Sequence, residues 1–114
     1  MNICYVYILS SRDHRDFSIR ATTDLKHGIR YHRRRVNRRA GRRKVYQKLV
    51  HVEEFPGLTA AVEREREIRE WPRAQLMHFV SRNNPGWAAI SIRAYLASRA
   101  RSADLRFLLR RAPS

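Results

Sequence analysis

The feature that most constrains this chain is its opening: an apolar run, Ile3-Cys4-Tyr5-Val6-Tyr7-Ile8-Leu9, followed at once by polar and charged residues. It is rich in Tyr, Val and Ile, so it reads as a strand over Asn2–Ser10. No basic flank precedes it, which argues against a signal peptide. Ser11–Asp16 is a polar turn and Phe17–Ala21 a second short strand, and together these segments form a β-hairpin. The lone cysteine, Cys4, excludes an internal disulfide and reads as a small buried strand residue.

After the hairpin the periodicity changes. Thr22-Thr23-Asp24 supplies N-cap residues, and Leu25, Ile29, His32 and Val36 recur at i, i+4, i+7 and i+11, a helical stripe ending near Asn37. Val45–Phe55 is a third strand, and Pro56-Gly57 turns the chain. Thr59 is expected to cap a second helix reaching Trp71, and Pro72 to open a third, ended by Asn83-Asn84-Pro85-Gly86. Trp71 and Trp87 are expected in the core. The order β-β-α-β-α-α predicts an α+β fold, a small three-stranded antiparallel sheet flanked by helices. Residues 1–87 would form that domain, and 88–114 a basic helical C-terminal extension.

The 114-residue chain carries 25 Lys and Arg against 10 Asp and Glu, a formal net charge of +15. Such an excess favours polyanionic partners, nucleic acid first. Between Lys26 and Lys48 there is no acidic residue. The densest part of that interval holds Arg33, Arg34, Arg35, Arg38, Arg39, Arg42, Arg43 and Lys44. An uncompensated run of this length repels itself and suits a phosphate backbone, which makes these residues the expected nucleic-acid contacts. Lysine occurs only at 26, 44 and 48, and arginine's fork suits phosphate. No apolar run approaches the ~18 residues of a membrane span, so the expectation is a soluble, cytoplasmic protein.

One acid is out of place. Ala61, Glu65 and Ile68 fall at i, i+4 and i+7 on the face of the second helix that the fold should bury, whereas Glu63, Glu67 and Glu70 fall elsewhere. A buried carboxylate is costly unless it meets a cation or a metal, which singles out Glu65.

Several blocks together carry a resemblance: Tyr5-Val6-Tyr7-Ile8-Leu9, Ser18–Leu25, Val52-Glu53-Glu54-Phe55, Arg64–Ala74 with its Arg-Glu-x-x-Ile-x-x-Trp spacing, and Asn83-Asn84-Pro85-Gly86-Trp87. Over about residues 1–87 the chain resembles the GIY-YIG nuclease superfamily, most closely its small single-domain bacterial branch. The resemblance implies metal-dependent cleavage of phosphodiester bonds, with DNA favoured over RNA. Glu65 stands at the position that holds a single Mg²⁺ or Mn²⁺, Tyr7 at a motif tyrosine, Tyr5 at the motif glycine, and His32 at a histidine common in the branch. The chain departs from the pattern where Ser18 replaces the second tyrosine, Arg20 a glycine, and Gly28 the first-helix arginine. Three readings follow: a nucleic-acid-binding protein with weakened or lost cleavage, an active endonuclease with a rewired site built on Tyr5 or Tyr7, His32 and Glu65, or a non-enzymatic RNA-binding part of a nucleoprotein assembly.

Overall fold

The computed structural model describes residues 3–40 and 46–99. Strand β1 (Cys4–Ser11) is followed by β2 (Phe17–Thr22), helix α1 (Leu25–Ala40), β3 (Tyr46–Phe55), α2 (Leu58–Glu70) and α3 (Arg73–Asn83). A further helical segment, α4, spans 92–99. The sheet has the order β2-β1-β3, and both pairings are antiparallel. The predicted α+β architecture is therefore the observed one.

The opening run is the middle strand, which explains why it is apolar throughout. Every residue of β1 is buried, because each of its faces carries a layer of its own. Cys4, Val6 and Ile8 project towards α2 and α3 and pack with Ile19, Val50, Ala61, Ile68, Leu76 and Val80. Tyr5, Tyr7 and Leu9 project to the opposite side and pack with Leu25, Ile29 and Leu49. A central strand covered on both faces loses the alternation of a half-exposed one. A register shift between Ile8 and Leu9, opposite His51 and Leu49, lets Val50 join the first layer while Leu49 joins the second.

Segment 88–99 belongs to the second layer. Ile90 N–H donates to the Leu49 carbonyl at 2.8 Å, and Ile90, Ile92, Tyr95 and Leu96 pack against this second layer. The Tyr95 hydroxyl donates to Glu54 Oε1 at 2.6 Å, and Arg99 pairs with the same carboxylate. Of the predicted helical extension, 92–99 is helical, and 100–114 lie outside the described residues.

The helix ends differ from expectation in two places. Thr59 does not cap α2: Gly57 occupies the N-cap position, with no side-chain cap bond. Pro72 is the N-cap of α3 rather than its first residue, its ψ of 150° still extended. By contrast Asp24 caps α1, its Oδ1 accepting from the His27 N–H at 3.0 Å. Trp71 and Trp87 are half-buried against the first layer. Trp87 adopts a left-handed backbone (φ 51°) and stacks on His14, itself left-handed at φ 58°, with ring centroids 4.5 Å apart.

Candidate functional site

Helix α1 divides its side chains between two concavities. Gly28, Tyr31, His32 and Arg35, at i, i+3, i+4 and i+7, line a small pocket of about 250 Å³ together with Tyr7, Arg20 and Thr22 of the sheet. This pocket exists because of the hairpin register. Tyr7 pairs with Arg20, Leu9 with Ser18, and Tyr5 with Thr22, so Ser18, Arg20 and Thr22 share the face of Tyr7 that looks towards α1.

At its base is a chain of three polar side chains. The Tyr7 hydroxyl lies 2.9 Å from His32 Nδ1 and donates to the Gly28 carbonyl at 3.3 Å. His32 Nε2 lies 2.6 Å from Ser18 Oγ. With the single phenolic proton directed to Gly28, the imidazole donates from Nδ1 to Tyr7 and accepts the Ser18 hydroxyl at Nε2. Tyr7 is 1% exposed and His32 4%, so both reject charge. Burial, with the positive charges of Arg20 and Arg69, lowers the His32 pKa from its ordinary 6.5 to about 4. Burial raises that of Tyr7 well above the ordinary 10; Arg20 opposes the rise and the Glu65 charge adds to it. At neutral pH the chain is therefore a neutral imidazole between two protonated hydroxyls.

Glu65 approaches from the other side of the sheet. Ala61 and Ile68 are buried on α2, and Glu65 sits at the margin of their stripe with 15% of its side chain exposed. Its Oε1 is 3.2 Å from Arg69 Nη2, and the same nitrogen donates to the Ile19 carbonyl of β2 at 2.9 Å. Arg69 thus clasps Glu65 to strand β2, and from there the carboxylate acts on Tyr7. The burial cost anticipated for this acid is met by an arginine one turn away.

Among the described residues no three His, Cys, Asp or Glu side chains gather as a metal cage. Glu65 by itself offers hard carboxylate oxygen, and Arg69, already paired with it, opposes a free dication. The donor set fits Mg²⁺ only in company with phosphate oxygens and water, the manner in which that ion is commonly held.

Two departures from the resemblance acquire physical reasons. Ser18, standing where a tyrosine was expected, is the hydroxyl that holds His32. Gly28 is glycine because α1 starts hard against β2: a Cβ there would lie 2.4 Å from Thr22 Oγ1 and 2.9 Å from Thr22 Cβ. Thr22 cannot easily move, since its Oγ1 donates to the Asp24 carbonyl and accepts the Asp24 N–H. No side chain of any kind fits at 28 without displacing the strand end.

The structure brings Tyr7 and His32 together, with Glu65 close enough to act on Tyr7. It does not bring Tyr5 to this pocket. Tyr5 is buried two residues along β1, and Arg99 lies over its ring at 6.0 Å from the centroid. Of the arginine run, Arg35 lines the pocket, whereas Arg33 and Arg34 face a second concavity. Arg38 and Arg39 fall in α1 with side chains outside the described residues, and Arg42, Arg43 and Lys44 lie outside them altogether. Sequence reasoning missed Tyr31, 60% exposed at the pocket mouth, and Arg69. Both signals were present: Tyr31 is three residues from Gly28, and Arg69 four from Glu65.

No protein-family model matches the chain, and no curated protein matches it. Among solved structures it is similar to a UPF0213 protein from Bacillus halodurans determined by NMR in solution, with 24% sequence identity and a TM-score of 0.48, over 75% of this chain and 89% of that one.

Proposed function

We propose that this chain is a GIY-YIG-like nucleic-acid-binding protein, favouring DNA, in which metal-dependent phosphodiester cleavage is weakened or lost. The observation that carries the reading is the composition of the α1 pocket. A concavity with arginines 20 and 35 on its wall suits a phosphate, while its chemical groups are held in resting states. Tyr7 is protonated, His32 is a weak base, and the Glu65 carboxylate is engaged by Arg69.

Within this reading Arg20 and Arg35 bind and orient the phosphate. Ser18, His32 and Tyr7 fix one another and offer a hydroxyl at the pocket base. Glu65 would be the protein ligand of Mg²⁺, and the ion when bound would supply neutralisation of phosphate charge. With glycine at 28, the pocket lacks a cation from the first turn of α1. Losing one charge-stabilising donor typically slows such a reaction by about 10²–10³-fold.

The test is a cleavage assay on supercoiled plasmid and branched DNA, with Mg²⁺ or chelator, for the wild type beside Glu65→Ala. Expected is salt-sensitive DNA binding by both proteins, with no Mg²⁺-dependent nicking above the chelated control. Nicking that disappears in Glu65→Ala would establish a working nuclease instead. Tighter binding to structured RNA than to DNA would favour the assembly reading.

A further inference from the structure

The second concavity lies on the other side of α1, between that helix and α4. Its cations are Lys26, Arg30, Arg33 and Arg34 on one wall and Arg93 on the other; its apolar lining is Ile92 and Leu96. The groove holds about 810 Å³, and among the described residues its lining has no acidic side chain. Lys26, Arg30, Arg34 and Arg93 are exposed, whereas Ile92 and Leu96 are half-buried.

From this arrangement we infer that the α1–α4 groove is a track for a single nucleic-acid strand, so that the C-terminal segment forms one wall of the nucleic-acid interface. The inference rests on the nucleic-acid reading above and extends it to residues outside the pocket.

The spacing on α1 suits a repeating anion. Residues 26, 30, 33 and 34 share one helix face, and four residues advance about 6 Å along the axis. Successive cations can therefore meet successive phosphates, with Arg93 answering from the opposite wall. Ile92 and Leu96 give the strand's sugars and bases an apolar surface, which single-strand sites need because unpaired bases expose their faces. The groove has the size of a small-ligand cleft, ~300–1,000 Å³. A double helix, whose major groove alone is about 12 Å wide, can only lie across its rim. An anionic bilayer fits less well: its partner must project apolar side chains, and here they are recessed between two cationic walls. Of the exposed large apolar residues, Leu58, Val62 and Met77 belong to α2 and α3, on the other layer of the molecule, and Tyr31 lies on the pocket side of α1.

The wall is firmly set. Segment 88–99 is tied to β3 through Ile90 and Leu49, and through Tyr95 and Arg99 to Glu54. Arg93 thus faces α1 across a fixed gap rather than at the end of a loose tail.

The experiment uses the full chain and a fluorescent 20-nucleotide single strand, titrated across 50–200 mM salt, with Arg30→Ala, Arg93→Ala and the double variant. Arg82→Ala, exposed on α3, is the control; circular dichroism checks folding. Each groove substitution should weaken binding most at 50 mM salt and reduce the salt slope by about 0.7, so that the wild type's advantage shrinks about threefold between 50 and 200 mM. Arg82→Ala should match the wild type in slope. If the wild type binds steeply and the groove variants bind just as well, the groove assignment fails while the nucleic-acid reading stands. If the wild type itself has no salt-dependent binding, the underlying reading fails. Loss of duplex but not single-strand binding in the variants overturns the single-strand assignment. Tighter capture by vesicles of anionic phospholipid than by any oligonucleotide replaces the partner with a membrane surface.

Discussion

The two sides of α1 solve different problems with the same residue types. On the Gly28–Arg35 side the polar groups at the pocket base are sheltered and bonded to one another, Tyr7 and His32 are pushed away from charge, and with Ser18 they form one connected unit. On the Lys26–Arg34 side the cations are mostly exposed and arranged in a row. The first side is specified by close contact and tolerates little change. The second is specified by charge and spacing, and most substitutions there should leave the fold intact. A helix can serve both because its face repeats every 3.6 residues, so one arginine-rich stretch distributes to opposite walls.

The sharpest way to break this contrast is acid. Between pH 6.5 and about 4 the unfolded chain takes up a proton on His32 that the folded chain refuses. Stability from this group is therefore complete above pH 6.5, declines as pH falls, and is gone below 4. A shift of this size corresponds to roughly 3 kcal/mol. Chemical denaturation across that range should show the decline in the wild type and a flatter profile in His32→Gln. Glu53 acts lower. Burial would raise its pKa, but His51, whose Nε2 lies 3.1 Å from Glu53 Oε2, and the hydrogen bonds from Arg64 outweigh that and bring it from 4.5 to about 2. Its stabilisation is lost as pH falls through that lower window, which His32→Gln leaves unchanged. A flat wild-type profile from pH 6.5 to 4 would mean that the pocket is open to water.

Restoring the expected arginine is a smaller perturbation with a counterintuitive sign. Gly28→Arg should gain ~1 kcal/mol of helix propensity, yet overpacking against Thr22 costs about 1–3 kcal/mol. The net expectation is a destabilisation of up to about 2 kcal/mol, measured by urea denaturation. Stabilisation by Gly28→Arg would show that α1 and β2 separate easily. The mildest test concerns the groove wall. Tyr95→Phe removes the bond to Glu54, which still keeps Arg99. At this partly exposed position the loss should be about 0.5–1 kcal/mol. Hydrogen exchange should quicken over 92–99 and remain unchanged in the pocket.

The sequence by itself determined the element order, the antiparallel α+β class and the cationic character of α1. These follow from local properties: the apolar opening run, the 3.6-residue stripe from Leu25, and an interval with no acid. It also isolated Glu65, since a carboxylate in step with Ala61 and Ile68 is visible in the spacing alone. Several features escaped it, being pairings across the chain. Spacing could not say that Arg69 answers Glu65 while clasping Ile19, or that Ser18, opposite Leu9, would reach His32. It could not say that Tyr5, two residues from Tyr7, would be turned over to Arg99 and Tyr95. The meaning of Gly28 was hidden for the same reason: in sequence it is a missing arginine, and only the 2.4 Å approach to Thr22 makes it a packing requirement. Composition and periodicity act along the chain and can be read there. Register, close approach and burial exist only once distant segments meet, and those decided which residues share a site.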